Sequence, residues 1–365
     1  MPEYGLTSLP ENPLTFRLDA MAVAMSAEFA TEPIARRLSD TASFNFYGVG
    51  LAVSSSAPTV LDYLTRDFEY FASPAMPPGI ELRVRAGVPP WERIPDRIAT
   101  MVTPNALSYD DRSIRYNDYH RQALAIYDFE RERGEIWALT EDLLYEISYL
   151  TALSRVGELH DLRGIHRVHA LGVAVAGQGA LILLPEAGGK TTLALELLKY
   201  PEVKLLSDDT PLVERGRLRA FPTRLGIRSD RVCGIDPRHL RTMNRRNSGP
   251  KTLVDFSHFR DRVADQARPR ALIIGARSSS TASRIEPISR IRALPVLTAN
   301  LVFGLGLPQV IEFFLRGGVL ELFRKASIVA SRSTASLRLS AQTGCYRLIL
   351  GRDLEAAAKA VRSVL

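Results

Sequence analysis

The chain has 365 residues, with 47 Lys and Arg against 40 Asp and Glu, and a net charge of +7. A hydrophobic fraction of 46% and a mean hydropathy of −0.03 describe a water-soluble chain with core enough for about two domains. No apolar run reaches the ~18 residues that a membrane span needs. The opening Met1-Pro-Glu-Tyr-Gly lacks the pattern of a secretory signal. Cys233 and Cys345 are isolated and form neither a metal-ligand spacing nor a disulfide framework. A cytoplasmic protein without a membrane partner is expected.

Residues 1–40 are turn-rich, and 21–29 have the length of a short helix. Residues 44–53 alternate as a strand or hairpin does. Residues 60–71 carry apolar side chains at helical spacing. Residues 80–85 alternate strictly, and 89–95 read as a loop or linker. Short strand patterns recur at 114–116, 123–127 and 135–139. Thr140, followed by Glu141 and Asp142, opens a long helix, because a hydroxyl cap and early acids suit a helix N-terminus. This helix is expected to join an N-terminal α+β domain, 1–155, to a second domain, 156–365.

Residues 173–175, a turn at 177–179 and the apolar run 181–184 read as two strands of a hairpin. The second strand runs into Pro185-Glu-Ala-Gly-Gly-Lys-Thr-Thr192, and leucines and alanines then recur at helical spacing. Gly189-Lys190-Thr191 matches the end of the phosphate-binding pattern G-x-x-x-x-G-K-[ST]. In that pattern, backbone N–H groups and the helix N-terminus cradle phosphate. Glu186, Ala187, Gly188, Gly189, Lys190, Thr191 and Thr192 are therefore candidate nucleotide-binding residues. Lys190 would meet the terminal phosphates and Thr191 would ligate Mg²⁺. The pattern's first glycine falls on Leu184, so the loop is one residue short or its first turn is built differently.

Val203-Lys-Leu-Leu-Ser-Asp-Asp209 is an apolar strand ending in two carboxylates, as a Walker B element does. Successive side chains on a strand point to opposite faces, so the pair can divide its roles between metal and base. Residues 229–268 are polar and basic and read as a substrate loop or surface insertion. Arg241 to Arg246 is the densest basic patch. It reads as a solvated loop, because no aromatic residues interleave with it, and nucleic acid is not an expected partner. Residues 270–275 and 344–351 are strands, 294–303 and 307–315 are helical, and Asp353 opens a closing helix.

The order His169-Ala-Leu-Gly-Val, hairpin, phosphate loop, helix, Leu205-Leu-Ser-Asp-Asp209 resembles the C-terminal domain of the HPr kinase/phosphorylase family and its kinase-like relatives. The resemblance covers residues 160–230 closely. It implies an α/β fold with a P-loop kinase domain of the HPr kinase/phosphoenolpyruvate carboxykinase type, preceded here by the α+β domain. It implies ATP and Mg²⁺ as cofactors, and phosphoryl transfer to a hydroxyl such as a serine of a peptide or protein, or a small molecule. Carried over, the catalytic set is Asp208 as base, His169 beside it and Lys190, with Asp209 and Thr191 on the metal. Arg224 is a possible phosphate or substrate contact. The family's acid before Arg-Gly-x-Gly-Ile is missing from Thr223-Arg-Leu-Gly-Ile227. The family's oligomeric habit admits a homo-oligomer. Two other functions remain: a nucleotide-binding regulatory or scaffold protein without turnover, and a basic nucleic-acid-associated NTPase.

Overall fold

The computed structural model describes residues 40–73, 77–185, 188–227, 234–245, 249–307 and 319–365. Glu186, Ala187, Cys233 and the expected helices at 21–29 and across most of 307–315 lie outside these residues.

The first half is built of short strands: β1 (Asp40–Phe46), β2 (Val49–Ser55), β3 (Ile80–Ala86), β4 (Met101–Val102), β5 (Leu107–Asp111), β6 (Ile114–Asp118), β7 (Ala123–Asp128) and β8 (Arg133–Ala138). They form one sheet in the order β1-β2-β3-β8-β7-β6-β5-β4, and helix α1 (Pro58–Asp67) connects β2 to β3. The alternation that marks β2 and β3 sends Leu51, Val53, Leu82 and Val84 into the core. Helix α2 (Glu141–Leu162) covers this sheet and begins as its sequence predicts, with the Thr140 hydroxyl accepting from Leu143 N–H. It runs to Leu162, and the boundary expected at 155/156 falls inside it.

The second half carries β9 (Ile165–Arg167), β10 (Leu171–Val175), β11 (Gln178–Leu183), α3 (Lys190–Leu197), β12 (Val203–Ser207), β13 (Leu212–Glu214), β14 (Arg217–Arg219), β15 (Leu225–Ile227), β16 (Leu240–Arg245), β17 (Gly249–Val254), β18 (Gln266–Arg277), β19 (Arg284–Pro287), α4 (Arg290–Leu301), α5 (Val319–Gln342), β20 (Gly344–Leu350) and α6 (Leu354–Arg362). The fold is mixed α/β with several sheets, and residues 40–365 form a single compact unit.

The hairpin of β10 and β11 turns at Ala176 and Gly177, both at positive φ. β12 pairs antiparallel with β10 on its other side, so β11 and β12 run parallel to each other. β18 and β20 continue the parallel direction beside β11. The C-terminal ends of β11, β12 and β18 and the N-terminal end of β10 therefore share one edge, the edge at which parallel sheets place their ligands.

The stretch 229–268, expected as a loop, is partly strand. β17 pairs with β15 on one side and β16 on the other, in a separate three-stranded sheet. Arg241, expected in solvent, is 8% exposed and belongs to a buried charge cluster. Asp67, fully buried on α1, accepts from Arg224 Nη1 at 2.5 Å, from Arg241 Nη2 and from Tyr145 OH at 2.5 Å. Arg241 also donates to Asp255 at 2.6 Å. Desolvation pulls the Arg224 and Arg241 guanidiniums down, but Asp67, Tyr145 and their further partners (Tyr149 for Arg224, Asp255 for Arg241) together outweigh it, and the net shift is upward.

A second buried network ties α2 to α5. Asp161 Oδ1 stands 2.9 Å from His166 Nδ1, and His166 Nε2 stands 2.9 Å from Ser331 Oγ. The Asp-His-Ser order is that of a nucleophile triad. However, Arg332 engages both Asp161 oxygens, at 2.9 and 2.5 Å, and Ser331 lies mid-helix. The network is a strut that fixes two helices.

Candidate nucleotide-phosphate site

The site forms at the shared edge. After β11 the chain passes Leu184 and Pro185, and Gly188 N–H donates back to Pro185 O at 2.9 Å. Gly189 has φ 97°, a left-handed conformation that glycine adopts without strain, and it caps α3. Leu184, at the place of the motif's first glycine, is buried. A Cβ on Gly275 of β18 would stand 2.4 Å from Leu184 Cδ2, so a glycine on the neighbouring strand makes the room for this leucine.

Lys190 begins α3 and is 9% exposed. Its Nζ donates to Leu184 O at 3.0 Å and lies 2.8 Å from His169 Nε2. An ammonium only donates, so His169 accepts at Nε2 and carries its proton on Nδ1, a tautomer assigned from these partners. His169 Nδ1 stands 3.2 Å from Asp209 Oδ1. A line Lys190–His169–Asp209 results. Its histidine is held by two contacts from the α4 side. His169 N–H donates to Asn300 O at 3.3 Å, and a Cβ on Gly306 would stand 2.7 Å from the imidazole ring.

The two aspartates divide as strand-end neighbours do. Asp208 is buried, and its Oδ2 accepts from Thr191 Oγ1 at 3.2 Å. The Asp209 side chain is 38% exposed and faces His169. The Ser207 hydroxyl accepts from Asp209 and Thr210 N–H groups and shapes the turn. The structure thus places Asp208, not Asp209, beside Thr191, and Asp209, not Asp208, beside His169. Thr192 is half-buried in the first turn of α3. Arg224 is engaged by other partners: it stacks over Tyr149, 3.5 Å from the ring centroid, and pairs with Asp67.

Burial pushes the Asp208 carboxyl up to about 7, and the charge of Asp209 adds to the rise, while Lys251 and Thr191 pull it down. A carboxyl whose folded pKa lies above its unfolded value favours folding below about pH 4, and this support is lost as pH rises through 7. His160 acts in the opposite direction. Burial pushes it down to about 4, so the folded state loses stability as pH falls from 6.5 toward 4. The Asp208 contribution therefore emerges only from a difference between proteins. Asp208→Asn is expected to be more stable than wild type at pH 8 by on the order of 4 kcal/mol and nearly equal at pH 4. Urea unfolding at both pH values measures this. An equal difference at both would contradict a raised carboxyl.

The site also fits Mg²⁺. Two cis oxygens on an octahedral ion with ligands at about 2.1 Å stand about 3.0 Å apart, close to the Thr191–Asp208 separation. Among the described residues no group of three or more His, Cys, Asp or Glu side chains could hold a metal. Mg²⁺ bound through phosphates needs only one or two protein oxygens.

Sequence reasoning missed Gly275, Gly306 and Asn300, which shape the site through close approach and a backbone carbonyl. It also missed Lys251, whose charge reaches Asp208 from β17.

No family profile and no curated protein matches the chain. Among solved structures, the HPr(Ser) kinase/phosphatase from Coxiella burnetii is similar at 19% identity, over 33% of this chain and 77% of that one, with a TM-score of 0.19. No helix among the described residues is long and apolar enough to cross a membrane.

Proposed function

We propose that the protein is a cytoplasmic kinase that transfers the terminal phosphoryl group of Mg-ATP to a hydroxyl, with a serine of a peptide or protein as the preferred acceptor class. The observation that carries this reading is the convergence of the Gly188–Thr191 turn, Asp208, Asp209 and His169 at one sheet edge. The α3 N-terminus receives phosphate oxygens, and Lys190 exchanges Leu184 O and His169 for the terminal phosphates. Thr191 and Asp208 would hold Mg²⁺, which neutralises phosphate charge when bound. Asp209, exposed and backed by His169, takes the proton of the acceptor hydroxyl. That oxygen attacks the γ-phosphorus, the bond to the bridging oxygen breaks, and ADP leaves. The contacts of Thr191 and His169 favour this division over the reverse one, with Asp208 as base. Residues 156–365 carry the chemistry in this reading, and the N-terminal sheet supports it through the Asp67 cluster.

The test presents γ-labelled ATP and Mg²⁺ with an array of serine and threonine peptides. Label on a hydroxyl is expected with wild type. In Asp209→Asn, transfer is expected to fall about 10²-fold or more, with Mg-ATP affinity within about threefold. Mg-ATP binding without label on any acceptor would favour a nucleotide-binding regulatory protein instead.

A further inference from the structure

β15 of the small sheet packs against α3, the helix that Lys190 begins, with Leu225 and Ile227 in one core with Leu193 and Leu197. The chain after β14 runs alongside the end of β12, with Phe221 N–H donating to Leu206 O at 2.9 Å. Thr223, Arg224 and then β15 follow. Gly226 of β15 pairs with Leu253 of β17, and Lys251 lies two residues before Leu253, on the same face. The Lys251 side chain crosses Gly226 closely: a Cβ there would stand 2.0 Å from Lys251 Cε and 2.2 Å from Nζ. Only glycine at 226 leaves room for this path. The lysine's charge acts on Asp208, the residue hydrogen-bonded to Thr191.

The charge balance of the site gives this lysine a use. Two carboxylates and a triphosphate outweigh one Mg²⁺ and Lys190. During transfer, negative charge spreads over the three equatorial oxygens of the moving phosphoryl group. A preplaced cation stabilises such charge most in a buried site.

We propose that Lys251 is a second phosphate-binding cation of this site, reaching the terminal phosphoryl group from the small sheet while Lys190 reaches it from the P-loop. The proposal rests on the nucleotide reading above and adds a residue that discriminates ATP from ADP. Gly226 is the positioning residue that gives Lys251 its path.

The test is calorimetric titration of Mg-ATP and of Mg-ADP into the full chain, for wild type, Lys251→Met, Lys251→Arg and Gly226→Ala, with melting temperatures alongside. Lys251→Met is expected to weaken Mg-ATP about tenfold or more and to leave Mg-ADP within about threefold, as loss of one charge-assisted contact to the terminal phosphate implies. Gly226→Ala should shift the same ratio by displacing the lysine without removing it. Lys251→Arg should keep most of the discrimination. Equal weakening of both nucleotides together with a lower melting temperature would mean a structural role and overturn the proposal. Unchanged affinities in Lys251→Met, with binding abolished in Lys190→Ala, would overturn it and leave the nucleotide reading intact. Failure of wild type to bind either nucleotide would overturn both.

Discussion

Replacing Asp67 with alanine is expected to cost about 3–5 kcal/mol of stability, the size found when one partner of a buried ion pair is removed. The whole folded state is worth only about 5–15 kcal/mol, so Asp67→Ala would remove a large share of it. Asp67 has no solvent exposure, and three donors converge on its two oxygens: Arg224, Arg241 and Tyr145. Alanine would leave Arg224 without its carboxylate partner and Arg241 with Asp255 alone. It would also cut a link from α1 to the segment that carries Arg224 and to the small sheet. Chemical denaturation followed by the fluorescence of Trp91 and Trp137 gives the number. A companion variant, Asp67→Ala with Arg224→Leu and Arg241→Met, should recover much of the loss, because burying no charge costs less than burying an uncompensated one. A loss below about 1 kcal/mol in the single variant would show that the cluster is solvated rather than buried.

The parts of the fold that the sequence announces are local. The turn at Gly188-Gly189, the helix behind it, the carboxylates ending β12 and the Thr140 cap each depend on a few adjacent residues, and each lies where its pattern puts it. Pairing between distant segments is what the sequence conceals. β16 and β17 come from a stretch whose polar and basic composition resembles a loop, and β15, the other partner of β17, lies outside that stretch. Arg241 has the look of a surface residue because its partner Asp67 is 174 positions away. The apolar stripe of α5 is mixed. Ile328 and Leu339 are buried together with Arg332 and Ser336, while Leu322, Phe323 and Leu337 face solvent at 70%, 70% and 60% exposure. That departs from the rule by which amphipathic helices are found. Spacing alone puts Lys190, Thr191, Asp208, Asp209 and His169 at the ends of neighbouring elements, but the pairing of Asp208 with Thr191 and Asp209 with His169 depends on side-chain directions that spacing leaves open.

The largest functional effect is expected at Lys190. It is the first residue of α3, it lies almost buried, and its Nζ already meets a carbonyl and an imidazole at the sheet edge. A phosphate arriving at the Gly188–Thr191 turn finds the α3 N-terminus, the Thr191 hydroxyl and this ammonium together. Alanine removes the only full positive charge that this turn itself contributes. A charge-assisted contact is worth about 1.5–3 kcal/mol, or roughly tenfold to over a hundredfold in affinity, and a triphosphate offers Lys190 more than one. The decisive measurement is calorimetric titration of Mg-ATP into wild type and Lys190→Ala, with melting temperatures to show that both are folded. Saturable binding by wild type, lost by a factor of about 100 or more in a folded Lys190→Ala, is the predicted result. Binding that is equal in the two proteins, or absent from both, would contradict a nucleotide-phosphate site at this turn.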